Sequence, residues 1–235
     1  MNPKAVVLTT ALLLSATFVA SAVTYIDATG ENFTTAGGGI LDISSVEVNN
    51  TATDLNFKIN LTGNPVATDW GKYMIGISST SGGDTAGNGW GRPISLAAGM
   101  NYWVGSWVDS GNGAELRNYT GSWGLQSATY AANPDSISIT KDASSVTLNF
   151  NFAGLGLSSG STFLFDVYTS GGGGSDGAVD ALSNPSQSIA NWGDSYNTAS
   201  PFVNSYTITP VPEPTSFALL GLGGLLLARR VIDRK

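Results

Sequence analysis

The heptapeptide Leu55-Asn56-Phe57-Lys58-Ile59-Asn60-Leu61 alternates apolar and polar residues without a break. A period of two sorts its side chains onto opposite faces, which a half-buried strand needs and a helix cannot use. Val146-Thr147-Leu148-Asn149-Phe150-Asn151 repeats the pattern. Ile40–Val48 supplies a partner for the first stretch across the turn-forming run Asn49-Asn50-Thr51-Ala52-Thr53-Asp54. Further strands are expected at Tyr73–Ser78, Tyr102–Val108, Glu115–Tyr119, Ser136–Thr140, Thr162–Tyr168 and Ser205–Thr209. No stretch between them keeps a helical period for three turns. About nine or ten short strands with Gly, Asn and Ser turns predict an all-β fold, an antiparallel β-sandwich of jelly-roll-like form. No internal repeat is apparent, which argues against a propeller or solenoid.

The two ends of the chain have a different composition. Lys4 followed by the apolar run Ala5–Ala20, with Leu12-Leu13-Leu14, has the form of a secretion signal. Ala20-Ser21-Ala22 has the small-x-small pattern that a signal peptidase needs, so residues 1–22 are expected to be a signal peptide cut after Ala22; an uncleaved N-terminal anchor is the alternative. At the other end, Pro212 and Pro214 fix φ, remove two backbone donors and push their predecessors out of the α region. Residues 207–215 therefore read as an extended linker. From Ser216 to Ala228 there is no charge, and those residues span about 20 Å as a helix against a hydrocarbon core of about 30 Å. Val231 and Ile232 supply the missing length if Arg229 and Arg230 snorkel to the headgroups. Residues 216–235 are accordingly expected to form a short transmembrane helix with a basic, cytoplasmic end.

Val211-Pro212-Glu213-Pro214-Thr215, the apolar segment with Gly221-Leu222-Gly223, and Arg229-Arg230 together resemble the PEP-CTERM sorting signal. The resemblance covers about the last 25 residues. It implies an exported bacterial protein, anchored at least transiently and then placed on the cell surface or in an extracellular polysaccharide matrix. It also implies recognition, and cleavage near the motif, by a membrane enzyme of the exosortase type. The pair Ile232-Asp233 departs from the basic pattern.

The chain has no Cys and no His. That removes disulfides, thiolate chemistry and histidine-based triads, and with them the commonest zinc ligand. Nucleophile-elbow, P-loop and dinucleotide motifs are absent as well. A carboxylate pair for glycoside hydrolysis stays open, but Glu31, Glu47 and Glu115 are the only Glu of the body and nothing singles out a pair. We therefore expect no enzyme. Residues 23–210 hold 12 Asp and 3 Glu against 3 Lys and 2 Arg, a net charge of −10. Such a body does not bind nucleic acid by neutralising phosphates. The acidity serves solubility or holds calcium. Asp176 and Asp180, in the long Gly-rich segment 170–200, are the calcium candidates, although their spacing fits no EF-hand or nonapeptide loop. No other cofactor is expected.

Six tryptophans offer the sharpest hypothesis. Trp103 and Trp107 share one side of a strand, about 13 Å apart, opposite Tyr102, Val104 and Val108. If the valines face the core, both indoles stand on the far face and can stack on a saccharide. Alternatively the indoles are themselves the core. Trp90 in GWG and Trp123 in SWG read as loop-borne contact residues. The middle region, through LDISSVEVNNTATDLNFKINL, WGKYMIGI, YWVGSWVD and AELRNYTGSWG, is distantly similar to carbohydrate-binding-module and DOMON-type β-sandwich families. That resemblance covers Ile40 to Tyr206 and implies a jelly-roll sandwich that holds sugar between aromatic faces; the β-sandwich body is expected over residues 23–206, with Trp90, Trp103, Trp107 and Trp123 as the candidate stacking residues. Without histidine, the haem-binding branch does not carry over. The competing reading is a structural surface protein that binds nothing small.

Overall fold

The computed structural model describes residues 19–199 and 203–211. The expected signal segment up to residue 18, Pro212–Thr215, the expected transmembrane helix at 216–235 and the expected stop signal at Arg229 and Arg230 lie outside the described residues.

In chain order the strands are β1 (Val23–Ile26), β2 (Ile43–Asn50), β3 (Asp54–Leu61), β4 (Lys72–Ser78), β5 (Ile94–Leu96), β6 (Tyr102–Trp107) and β7 (Gly113–Tyr119). Then follow β8 (Trp123–Ala128), β9 (Ser138–Lys141), β10 (Ser145–Asn151), β11 (Thr162–Ser170), β12 (Asp180–Ala181), β13 (Tyr196–Thr198) and β14 (Asn204–Thr207). The one helical element among the described residues is a 3₁₀ turn, Phe152–Leu155. One sheet has the order β1-β2-β3-β10-β9. The other has the order β12-β11-β4-β6-β7-β8, with β14 paired to β11. Every pairing in these two sheets is antiparallel, as the alternating sequence predicts.

The two most regular stretches of the sequence are neighbours. β3 and β10 pair Leu55 with Phe150, Phe57 with Leu148 and Ile59 with Val146. Their apolar faces therefore merge into one surface, and Phe57 stacks on Phe150 with ring centroids 5.8 Å apart. Against it the second sheet sets Tyr73, Ile75 and Ile77 of β4, Val104 of β6, Leu116 of β7, and Phe163, Phe165 and Val167 of β11. Full burial of such a side chain stabilises the fold by about 1.5–3 kcal/mol, so this layer is the main driving force for folding.

The second sheet has no solvated face along its centre. Met74 of β4, Trp103 of β6 and Tyr168 of β11 point away from the sandwich core and are fully buried. What covers them comes from two long connections. Residues 79–101 supply Ile94, Leu96 and Met100, and residues 171–199 supply Ala178 and Ala181. The two coverings are stitched together by the parallel pair β5–β13, Ile94 opposite Tyr196 and Leu96 opposite Thr198. Segment 170–200, which the sequence presents as a loop, thus holds the end of β11 and the short strands β12 and β13. Its strands are too short to show a period, which is why the pattern missed them.

Candidate functional site

The four candidate tryptophans converge on the outer face of β6, β7 and β8. Val104 and Val108 do line the inter-sheet core, so Trp103 and Trp107 stand on the far face. That face is roofed, however. Trp103 is 0 % exposed, stacked at 6.1 Å on Tyr168 and edge-on to Trp90 at 6.3 Å. It cannot touch a saccharide, and the two-indole platform is corrected at this position: the indole is the centre of a second core. Trp107 is half-buried. It lies over Gly113, where a Cβ would fall 2.0 Å from the indole ring.

Trp90 and Trp123 also differ from the expectation of free, loop-borne contacts. The Trp90 ring covers Gly105, where a Cβ would sit 2.2 Å from it, so only glycine admits this approach. Its Nε1–H donates to Glu115. Trp123 opens β8 rather than sitting in a loop, and its Nε1–H donates to Asp84 Oδ2 at 2.8 Å. Both indoles therefore bolt the Gly-rich segment 79–92 onto the sheet. Arg92 completes the attachment by donating to Ser170 Oγ at 2.7 Å and to the carbonyls of Asp176 and Gly171 at 3.0 and 3.2 Å.

Glu115 is the polar hub of this face. Its carboxylate accepts from Trp90, from Arg117 Nε at 2.6 Å and from the Tyr130 hydroxyl at 2.5 Å. Burial would raise its pKa, but these three donors outweigh burial and hold the carboxyl below its usual range. Tyr130, which the sequence did not single out, is 60 % exposed and leans against Trp107 with centroids 5.9 Å apart. At the opposite end of β7, Tyr119 pairs with Trp123 across the strands, centroids 5.4 Å apart. Six residues of strand separate the two aromatic pairs, about 20 Å. The exposed Leu125 lies opposite Arg117 on the same strand pair.

The two calcium candidates are not brought together. Asp176 accepts from the Gly173 N–H at 2.8 Å and sits near Arg92. Asp180 is buried at the head of β12 beside Asp27 and Glu31. Burial pushes Asp27 up to about 8, and burial together with the Asp27 charge pushes Asp180 up to about 9. In the folded chain without a cation both groups hold protons far above their ordinary range. Each then disfavours the fold progressively as pH rises toward those values.

Both termini of the described structure meet at Asn50, which is fully buried. Its side-chain Nδ2 donates to the Thr209 carbonyl at 2.9 Å, and its Oδ1 accepts from the Thr209 N–H at 2.9 Å and the Tyr206 hydroxyl at 2.8 Å. Its carbonyl accepts from the Ala20 N–H at 2.8 Å. Ala22 is exposed immediately before β1, and Val211 follows two residues after the Thr209 clamp. The segments carrying the two predicted processing sites thus leave the sandwich from one corner.

Comparison with known families matches the PEP-CTERM protein-sorting motif to residues 210–235. The motif therefore begins one residue beyond the Asn50 clamp. No curated protein shows detectable similarity to this chain.

Proposed function

We propose that this chain is an exported bacterial surface or matrix protein whose β-sandwich is held at the membrane through residues 216–235. An exosortase-type enzyme then releases it by cutting near Pro212-Glu213-Pro214. The observation that carries this reading is the sorting motif at residues 210–235, placed directly after a strand end that Asn50 clamps from both sides. The clamp keeps the fold closed up to Thr209, so cleavage beyond Val211 frees the domain without unravelling β14. Mass spectrometry of the protein recovered from the cell surface checks this. A C-terminus between Val211 and Ser216 is expected, and an intact Lys235 overturns release by cleavage.

The body itself serves binding rather than catalysis in this reading. Its ligand is carbohydrate of the surrounding matrix, taken on the outer face of β6–β8. Trp107 with Tyr130 and Trp123 with Tyr119 form two aromatic stations about 20 Å apart, and apolar sugar faces stack on such rings. The residue set differs from the one legible in sequence: Trp107 and Trp123 stay, Tyr119 and Tyr130 join, Trp90 and Trp103 leave. Trp107→Ala and Tyr130→Ala are each expected to weaken retention on extracted matrix polysaccharide by about tenfold, on the scale of 1–1.5 kcal/mol for an aromatic contact. Stability should change little because both rings are partly exposed. Unchanged retention in both variants favours a structural surface protein, a reading supported by the way Trp90 and Trp123 spend their N–H groups on docking the 79–92 segment.

A further inference from the structure

Where β1 ends, Asp27 and Glu31 meet Asp180 of the other sheet, and the three offer carboxylate oxygens within 4.8 Å of one another. Asp180 is tied to the backbone, its Oδ1 accepting from Ala181 N–H and its Oδ2 from Ile43 N–H, both at 2.7 Å. Each of those oxygens keeps a second lone pair. Asp27 is only 7 % exposed; its Oδ1 accepts from Ala28 N–H, and its Oδ2 is buried with no partner. Both Glu31 oxygens and the Asn32 Oδ1 next to it in the chain are likewise buried and unpartnered. Among the described residues none of the three carboxylates belongs to an ion pair; the ion pairs present are Lys58–Glu47, Lys72–Asp109 and Arg117–Glu115.

Orphaned acceptors in a protein interior are costly, and several of them on neighbouring carboxyls more so. Without a cation, the protons held by Asp27 and Asp180 must serve as the donors, and nearby Asp42 is itself an acceptor. Asp42 is occupied by Gly30 N–H at 3.1–3.2 Å and Thr62 Oγ1 at 2.8 Å, which holds the turn leading into Glu31. What satisfies several carboxylate oxygens at once is a hard cation. The set contains no nitrogen or sulfur ligand, which argues against zinc and copper. A carboxylate with both oxygens free, as Glu31 has, suits the irregular, often bidentate shell of calcium better than the strict octahedron of magnesium.

We propose that Asp27, Glu31 and Asp180 hold a calcium ion that ties the edge strand β1 to the second sheet. Among the described residues β1 pairs only with β2, and Asp27 is the first residue after it. An ion bound there links the new N-terminus that signal cleavage would create to β12, across the sandwich. Extracellular modules bind calcium in the 10⁻⁴–10⁻³ M range, roughly, so the tie would form after export.

The test is the thermal unfolding of the full chain in detergent micelles, first with EDTA and then with calcium chloride. A saturable rise in Tm of about 5 °C or more is expected with excess calcium, and a smaller one with magnesium at equal concentration. Glu31→Gln separates a ligand from a structural residue, since it keeps the shape and one acceptor oxygen of the side chain while removing its charge. It should move the Tm in EDTA little, yet weaken calcium at least tenfold. An unchanged wild-type Tm with calcium overturns the proposal. So does a full calcium response in Glu31→Gln, and an equal response to magnesium overturns the choice of ion.

Discussion

Replacing Trp103 by Ala should lower the stability of the body by about 4 kcal/mol, the largest effect expected of any tryptophan in the chain. The indole is the largest fully buried side chain, and the elements around it are ill placed to collapse into the space it would leave. Below it is the sheet, where Tyr168 stacks on it; above it are Ile94, Leu96 and Met100, held by the β5–β13 pair. Chemical denaturation read by near-ultraviolet circular dichroism measures the loss. Trp103→Phe should recover most of it, because the Trp103 Nε1–H is buried without an acceptor and its removal is no loss. Trp107→Ala, four residues along the same strand, should cost only about 1 kcal/mol, since part of the ring stays in water. A Trp103→Ala loss no larger than that of Trp107→Ala would mean that the roof over the second sheet is not packed as described. The contrast also bears on carbohydrate binding: an effect of Trp103→Ala on retention would report unfolding of the roof, whereas an effect of Trp107→Ala would report contact.

Asp166→Ala should be comparably severe, about 3–5 kcal/mol, for a polar rather than an apolar reason. Asp166 is fully buried in β11 and collects four donors. Its Oδ1 accepts from Val167 N–H at 2.8 Å and Ser183 N–H at 3.0 Å, and its Oδ2 from Ser183 Oγ at 2.6 Å and Thr198 Oγ1 at 2.5 Å. Two of its partners belong to the returning segment 171–199, so this one carboxylate fastens that segment to the sheet. Alanine leaves all four donors facing a void. Asp166→Asn keeps the shape and should recover part of the loss. Burial raises the pKa to about 6 in spite of these donors. A carboxyl that holds its proton more tightly when folded lends stability at low pH, and that contribution fades as pH rises from about 4 through 6. Denaturation midpoints measured across that range should fall less steeply in Asp166→Asn than in the parent. An identical slope would show that the group does not titrate there.

Much of the fold was legible because burial on one face leaves a period of two. β2, β3, β10 and the inner half of β6 could be placed from their alternation alone, and the antiparallel sandwich followed. The outer core was partly legible too. Tyr73-Met74-Ile75-Gly76-Ile77 does not alternate, and an apolar run of that kind marks a strand covered on both faces. The candidate site was less legible. Asp27 and Glu31 lie about 150 residues from Asp180 in sequence, and no spacing rule joins residues that meet only when two sheets close. Tyr130 carries no motif; its value comes from leaning on Trp107.

The sequence by itself determined the address and the class of the body. The sorting motif is a local code, readable because its Pro-Glu-Pro, apolar run and basic end are contiguous in sequence. Alternation is equally local, since each strand's pattern records which of its faces is buried. The tertiary structure alone decided what each tryptophan does and which carboxylates meet. Whether an indole on the far face of a sheet is a platform or a core depends on whether other chain segments lie over it. That covering is made by contacts between residues far apart in sequence, Trp90 on Gly105 and Asp166 on Thr198, which no local pattern encodes.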